Sequence, residues 1–307
     1  MIGGKKIHVP FWELLTVITA IVSIAACSTV AEIGATAGQA TGHLDEGQAD
    51  AVRQSAEDIE RSYEDITPEQ EYYIGRSVAA VILEDYDTYD DPEANAYLNR
   101  MGQALALTSD RPELFGDYRF QILDSDEING FATPSGLVFV TRGLLRLAES
   151  EDGVASILAH EIQHIVHQHG LQSIRTSRIT TALTSTAIAG AQFASQDELR
   201  KLTNVFDDTI DDVAQTLTTS GYSRSSEDEA DRGAVQLMRR VGYDPQALVG
   251  VLEQMDAQWE EGGPGFLQTH PSPQSRIEVI QEETDPDYEP TPPDARDERY
   301  ARYLGGI

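Results

Sequence analysis

The sequence predicts an α+β fold, a mainly helical domain that contains a small β-sheet. Apolar residues recur at helical spacing over most of the chain between residues 65 and 282, and several of these stretches begin with capping residues. Between residues 118 and 145 the apolar period changes to two, which is typical of strands. A chain of 307 residues with 40% hydrophobic content is sufficient for an ordinary globular core.

The first 26 residues have the pattern of a secretory signal. Lys5 and Lys6 precede a mostly apolar run from Phe11 to Ala26, which ends in small residues just before Cys27. The run is short for a membrane span, although an uncleaved anchor is an alternative. The stretch SIAAC resembles the lipobox of bacterial lipoproteins, which implies cleavage before Cys27 and attachment of lipid to that cysteine.

Cys27 is the single cysteine of the chain, so an internal disulfide is excluded. Several acyl chains on it would hold the protein on a membrane, because each buried methylene contributes roughly 0.8 kcal/mol. Ser28 follows this cysteine, which by resemblance to diderm lipoproteins favours the periplasmic side of the outer membrane over the outer face of the inner membrane. The alternative is a cysteine that ends an apolar helix by chance.

The formal net charge of −30 makes nucleic acid an unsuitable partner, since both would be strongly negative. An acidic surface of this kind is explained by solubility or by adaptation to salt. We therefore expect no nucleic-acid function.

The composition divides the chain into four segments. Residues 1–26 form the signal, and residues 27–64 carry the lipidated cysteine, a flexible tether of small polar residues and room for a short helix. Residues 65–282 form the folded domain. Residues 283–307 are acidic and rich in proline without an apolar period, and they are predicted to be a tail.

The domain begins with two predicted helices. Thr67 is the expected N-cap of the first, with Pro68 at the first helical position and Gln70 completing a capping box. The second runs from Pro92 to about Leu107. Two segments of period two, YRFQILD and GLVFVTRGLL, predict two or three strands of a small sheet, and the turn-rich SDEINGFATPSG between them is a predicted loop.

A cluster of histidines lies in AHEIQHIVHQHG, residues 159–170. His160 and His164 stand four positions apart, so on a helix they share a face and can bind one metal ion. Glu161 would lie beside that ion, where it can accept a proton from an attacking water. A loose metal-buffering patch is the alternative.

The other two histidines of the cluster are not predicted ligands. The metzincin pattern requires a histidine where the chain has Gly170, so that class is excluded. His167 lies two helical turns from His160, and His169 points another way, so both are interpreted as surface or supporting residues. SRITTALTSTAIAGAQFASQ, which follows, is interpreted as a packed helix or a mobile cover.

A catalytic zinc needs three protein ligands and an open position, so a further ligand must come from elsewhere. YSRSSEDEADRGAVQLMRRVGYDP predicts a helix capped by Ser225 or Ser226 and ended by Gly242. Glu227 and Asp231 share its apolar face, where buried carboxylates are unfavourable unless a metal or a metal-bound histidine compensates them. An acidic first turn that favours the helix dipole is the alternative.

The ordered motifs NGFATPSGLVFVTRGLLRL, LAHEIQHIVHQHG, SRSSEDEAD, VGYDP and THPSPQSRI resemble gluzincin metallopeptidases of the CAAX prenyl protease and HtpX type, in their soluble branch of bacterial periplasmic lipoproteins. The resemblance covers about residues 65–282 and implies a zincin-type metalloprotease domain with one Zn²⁺ per chain. It also implies that Glu227 is the third zinc ligand beside His160 and His164, and that Asp231 supports a zinc-bound histidine.

The resemblance extends to residues around the metal. His270 would stabilise the oxyanion or cap the metal, with Arg276 orienting it at the substrate site. An edge strand of the sheet would line the cleft and bind an extended peptide through its backbone, with a central strand as the alternative. The predicted catalytic residues are Glu161, Asp231 and His270, and the predicted substrate-binding residues are Leu137, Val138, Phe139, Val140 and Arg276.

The predicted function is a membrane-anchored zinc endopeptidase that hydrolyses extended or misfolded envelope proteins in protein quality control. Its expected partners are peptide substrates, the membrane through the lipid on Cys27, and envelope assembly machinery. A lipoprotein chaperone or assembly factor with a latent or closed zinc site is the alternative, and a lipoprotein without metal is a third. Three ligands with an adjacent glutamate favour catalysis, because structural zinc usually has four ligands.

Overall fold

In the computed structural model of the chain, the described residues are 46–47, 66–172, 210, 213–258, 272–284 and 295–307. Apart from residues 46–47, they belong to one compact unit, Ile66–Ile174 together with Leu202–Ile307. The predicted signal, Cys27, the segment SRITTALTSTAIAGAQFASQ and His270 lie outside the described residues. None of the helices within these ranges has the length and apolar character needed to cross a membrane.

The unit begins with two helices, α1 (Pro68–Asp85) and α2 (Pro92–Ala106), close to the predicted bounds. The predicted capping box is confirmed: the Thr67 side chain accepts from the Gln70 backbone N–H, and the Gln70 side chain accepts from the Thr67 backbone N–H. Asp91 caps α2 by accepting from two backbone N–H groups of its first turn. Both helix starts are therefore determined by local sequence.

A mixed sheet of three strands follows. It contains β1 (Arg119–Leu123), β2 (Gly130–Ala132) and β3 (Leu137–Thr141) in the order β1-β3-β2, with β1 parallel and β2 antiparallel to β3. β2 lies in the segment that was predicted to be a loop, because three residues are too few to display a strand period. The mainly helical α+β class is confirmed.

The two faces of β3 are covered by different parts of the core. Val138 and Val140 belong to an apolar cluster that includes residues of α2 and of helices later in the chain, whereas Phe139 packs in a second cluster with residues of α1. A strand buried on both faces reads as a continuous apolar run, as this one does. The short helix α3 (Arg142–Leu147) follows directly.

The histidine cluster lies on helix α4 (Glu151–Val166), where every residue from Glu151 to Ile165 is buried. Ser150 caps this helix by accepting from the Gly153 backbone N–H. A helix buried on all sides that carries histidines and carboxylates must satisfy them by internal contacts. The neighbouring helices provide these contacts.

The carboxylate-bearing helix is α5 (Arg224–Val241), which packs along α4. Its N-cap is Ser223, whose side chain accepts from the Ser226 backbone N–H, so the predicted caps Ser225 and Ser226 are wrong by two or three positions. Gly242 ends the helix with φ 83°, as predicted for a left-handed C-cap. A π-helical turn, Thr216–Ser220, precedes α5.

Two further helices pack around α4 and α5. α6 (Gln246–Ala257) packs against α4, and α7 (Pro273–Glu283) packs against both α5 and α6. Ser272 and Pro273 start α7 as the sequence predicts. This arrangement brings Arg276 of α7 next to the polar residues between α4 and α5.

Part of the predicted tail is helical. Helix α8 (Ala295–Tyr303) packs on α4, so the prediction of a tail is wrong for this stretch. Arg296 donates to Asp152 at 2.8 Å, and Arg299 donates to both oxygens of Glu151 at 2.8 and 2.5 Å. Its packing combines these ion pairs with apolar contacts, because the Tyr303 ring stacks on Tyr97 and Leu304, which follows the helix, is buried in the core.

Candidate metal centre

Helices α4 and α5 place five polar side chains between them: His160, Glu161, His164, Glu227 and Asp231. Each of these residues is at most 2% exposed. The histidines share one face of α4, and the carboxylates share the first turns of α5, as their spacing of four predicts. The two helices thus concentrate buried charge at one point of the core.

The imidazoles of His160 and His164 and the carboxylate of Glu227 form a triangle of three metal-binding groups. The Nε2 atoms of His160 and His164 are 3.1 Å apart. His160 Nε2 lies 3.5 Å from Glu227 Oε2, and His164 Nε2 lies 3.4 Å from Glu227 Oε1. A tetrahedral zinc with bonds of about 2.0–2.2 Å separates its ligand atoms by about 3.3–3.6 Å. Within the described part of the chain, these three residues form the one group of histidine and acidic side chains whose ligand atoms are close enough to share an ion.

Glu161 lies beside the triangle and is not one of its corners. Its Oε1 atom is buried and has no hydrogen-bond partner among the described residues. Burial raises the pKa of Glu161 to about 7. The charge of His160 acts to lower this pKa, and the charge of Glu227 acts to raise it. A buried carboxyl group with an uncommitted oxygen and a pKa near neutrality is suited to accept and return a proton.

His160 is supported by a buried ion pair. Its Nδ1 atom lies 2.9 Å from Asp231 Oδ1, and Arg276 donates to both Asp231 oxygens at 2.8 and 2.7 Å. Burial alone would raise the pKa of Asp231, but the charge and hydrogen bonds of Arg276 hold it below its usual value. The resulting carboxylate accepts from His160 Nδ1–H, which leaves Nε2 as the metal-binding nitrogen.

His164 is supported by a chain of neutral and half-exposed groups. Its Nδ1 atom lies 2.8 Å from His169 Nδ1, and His169 Nε2 lies 3.1 Å from Glu229 Oε2. Burial lowers the pKa of His169, which favours the neutral ring. With Nε2 of His164 turned to the triangle, its Nδ1–H donates to His169, whose Nε2–H donates to Glu229.

This contact agrees with the supporting role that was one interpretation of His169, but the direction of its side chain was predicted wrongly because the backbone leaves the helix. α4 ends at Val166 and Gln168 adopts φ 56°, so the chain turns back and places His169 against His164. The prediction that His169 points away is therefore wrong. His167 remains outside the triangle, with Nδ1 3.3 Å from Glu229 and a partly exposed ring.

Tyr222, which precedes α5, also lies at this site, although no sequence pattern indicates it. Its ring stacks on His164 with the ring centroids 4.2 Å apart and the planes 17° from parallel. The hydroxyl is buried and has no hydrogen-bond partner among the described residues. Burial raises the pKa of Tyr222 well above its usual value. A lone tyrosine before a capping serine carries no sequence signal for such a position.

The strand beside Glu161 is β2 and not β3. A Cβ atom on Gly130 of β2 would lie 2.8 Å from Glu161 Oε1, so the strand passes very close to this side chain. β3 pairs on both sides, and the side chains of Val138, Phe139 and Val140 are buried in the core. The prediction of β3 as the edge strand is thus wrong, and its residues Leu137, Val138, Phe139 and Val140 are not placed to bind a substrate.

The structure also revises two residues on the His160 side. Arg276 is 1% exposed and is paired with Asp231, so it is a positioning residue and not a substrate contact. Asp231 contacts His160, which is the supporting contact that the resemblance implies, so it is described as a positioning residue and not as a catalytic one. His270 lies outside the described residues, so its role in catalysis stays a prediction.

Two histidines on one helix, a carboxylate from a second helix and a buried glutamate beside them define a zincin-type metallopeptidase site. The sequence model of peptidase family M48 matches residues 92–284, and the chain belongs to that family. The members of the family are zinc-dependent, in agreement with the predicted cofactor. The predicted resemblance is thereby confirmed.

Curated relatives extend the comparison. The chain is 30% identical over 194 residues to the beta-barrel assembly-enhancing protease of Escherichia coli, a match that covers 61% of this chain and 38% of the relative. It is 26% identical over 231 residues to the mitochondrial metalloendopeptidase OMA1 of Schizosaccharomyces pombe, covering 72% and 63% of the two chains. The chain thus spans less than two thirds of the length of these relatives.

Proposed function

We propose that the chain is a zinc-dependent endopeptidase that cleaves extended or misfolded proteins of the bacterial envelope. The observation that carries the proposal is the triangle of His160, His164 and Glu227, whose donor atoms are spaced for a tetrahedral ion beside the buried carboxyl of Glu161. The names of the bacterial relatives, which refer to beta-barrel assembly, support an envelope substrate.

His160, His164 and Glu227 would hold the metal. Zinc bound there would polarise the scissile carbonyl and lower the pKa of a water molecule. Glu161 accepts the proton of the attacking water and delivers it to the leaving amine. Asp231 and His169 hold the two imidazoles so that both Nε2 atoms remain directed at the same point.

The substrate would bind as an extended strand beside β2. Among the described strands β2 pairs with β3 alone, and it passes next to Glu161 at Gly130. Backbone hydrogen bonds to such a strand require little of the substrate sequence. Unfolded segments therefore fit this site better than folded surfaces do.

Anchoring and location are parts of the same proposal. Lipid on Cys27, supported by the sequence around it, would hold residues 65–282 at the periplasmic side of the outer membrane through a tether of residues 27–64. In that position, envelope assembly machinery would be a natural partner.

The decisive experiment measures zinc and cleavage together on the full chain. We expect one zinc per chain and degradation of unfolded casein that a chelator abolishes and added zinc restores. Glu161→Gln should retain the zinc and lose at least about a thousandfold in kcat, because the proton acceptor is removed. Zinc without cleavage in the wild type would instead favour an assembly factor with a closed site, and absence of zinc would reject both.

A further inference from the structure

Tyr222 has no role in the steps described so far, although it touches the metal centre. Its ring stacks on His164, and its hydroxyl is buried without a hydrogen-bond partner among the described residues. A buried O–H group without an acceptor is unfavourable, and buried tyrosine hydroxyls usually find one. The hydroxyl is therefore expected to gain its acceptor in another state of the protein.

The surroundings restrict what that acceptor can be. Gly170 lies beside the hydroxyl, with a Cβ position 3.5 Å away, and offers no side chain as a partner. Glu161 and Glu227 are near enough to act on Tyr222 electrostatically, but neither forms a hydrogen bond with it. A phenol with an ordinary pKa of about 10 is protonated at neutral pH, so this hydroxyl can donate.

A bound peptide would bring one acceptor to this region that also gains negative charge. We propose that the Tyr222 hydroxyl donates a hydrogen bond to the carbonyl oxygen of the peptide bond that is cleaved. The inference rests on the proposed peptidase function and adds a catalytic residue to it. A preplaced donor in a buried site is most effective when its acceptor becomes charged, so the bond strengthens as the tetrahedral intermediate forms.

The competing explanation is purely structural, with the ring of Tyr222 holding the imidazole of His164 by stacking. The two explanations separate on the hydroxyl, because Tyr222→Phe keeps the ring and removes the donor. Stacking alone predicts no change in this variant, whereas donation predicts a loss confined to the chemical step.

The test compares wild type, Tyr222→Phe and Tyr118→Phe as full-length zinc-loaded chains. Tyr118 is a matched control, because its buried hydroxyl donates to the Arg111 carbonyl at 3.0 Å in the core. We expect Tyr222→Phe to lower kcat for an unfolded peptide about a hundredfold to a thousandfold, with KM, zinc content and melting temperature unchanged. Tyr118→Phe should lower the melting temperature and leave kcat unchanged.

A second readout does not depend on turnover. A phosphinic peptide, whose tetrahedral oxygens imitate the charged intermediate, should bind Tyr222→Phe more weakly by a factor similar to the loss in kcat. A kcat within twofold of wild type, or a loss of zinc from the variant, would overturn the proposal. The wild-type chain shows which of the two proposals has failed. If it shows no zinc-dependent cleavage, the proposed peptidase function is rejected. If it cleaves and Tyr222→Phe cleaves equally well, only the role of Tyr222 is rejected.

Discussion

The two histidines of the metal centre are supported by opposite kinds of chemistry. His160 is held by the buried charges of Asp231 and Arg276, which come from two different helices, α5 and α7. His164 is held by His169, a neutral neighbour from its own segment, and beyond it by the half-exposed Glu229. The His160 support is part of the core, whereas the His164 support is a local turn. We therefore expect substitutions that remove the ion pair beside His160 to lower the free energy of unfolding. Substitutions beside His164 should lower only the affinity for zinc.

The largest effect is expected from Arg276→Met. Removal of the guanidinium leaves the buried carboxylate of Asp231 with His160 as its remaining partner, which should lower the free energy of unfolding by about 3–5 kcal/mol. Urea unfolding of the metal-free chain measures this loss. The double variant Arg276→Met with Asp231→Leu should recover part of it, and strictly additive losses would show that the two residues do not act as a pair.

A second change tests the same side through the metal. Asp231→Asn removes the charge that fixes the His160 tautomer, so the affinity for zinc should fall by up to about a hundredfold. Competition with a zinc-binding dye gives the affinity. Asp228→Asn removes an acidic charge from the same turn of α5 away from the triangle and should bind zinc as the wild type does.

On the His164 side, His169→Phe keeps an aromatic ring and removes the acceptor of His164 Nδ1–H. We expect an approximately tenfold loss of zinc affinity, with the unfolding free energy of the metal-free chain changed by less than about 1 kcal/mol. His167→Phe is the control, since the His167 ring lies outside the triangle and stacks on His169. If His169→Phe unfolded the protein as Arg276→Met does, the contrast between the two sides would be lost.

The smallest effect is expected from Glu229→Gln. The side chain of Glu229 is 51% exposed, and a partly solvated pair of this kind contributes little. Its amide oxygen can still accept from His169 Nε2–H, so the zinc affinity should fall by less than about threefold. A loss as large as that of His169→Phe would mean that the charge of Glu229, and not the hydrogen bond, orients His169.

The parts of the site that sequence analysis anticipated are those fixed within one helix. A spacing of four places His160 with His164 and Glu227 with Asp231, because helix geometry depends only on local sequence. The capping box at Thr67 was found for the same reason. Local patterns therefore yielded both helix faces that meet at the triangle.

The parts that were missed depend on contacts between distant segments or on a single backbone angle. The position of β3 in the sheet follows from pairing with β1 and β2, which a continuous apolar run does not encode. The return of His169 depends on the positive φ of Gln168, and the burial of Arg276 depends on a partner 45 positions away. Pairing of this kind emerges only when the elements have assembled.

The ion pairs of α8 affect how the chain reaches its native state. Arg296 and Arg299 pair with Asp152 and Glu151, which precede them by 144 and 148 positions. Contacts so distant in sequence have a large loop-closure entropy and tend to form late in folding. A nascent chain that has already produced the helix carrying AHEIQHIVHQHG can form these ion pairs at its first turn only after α8 has been synthesised.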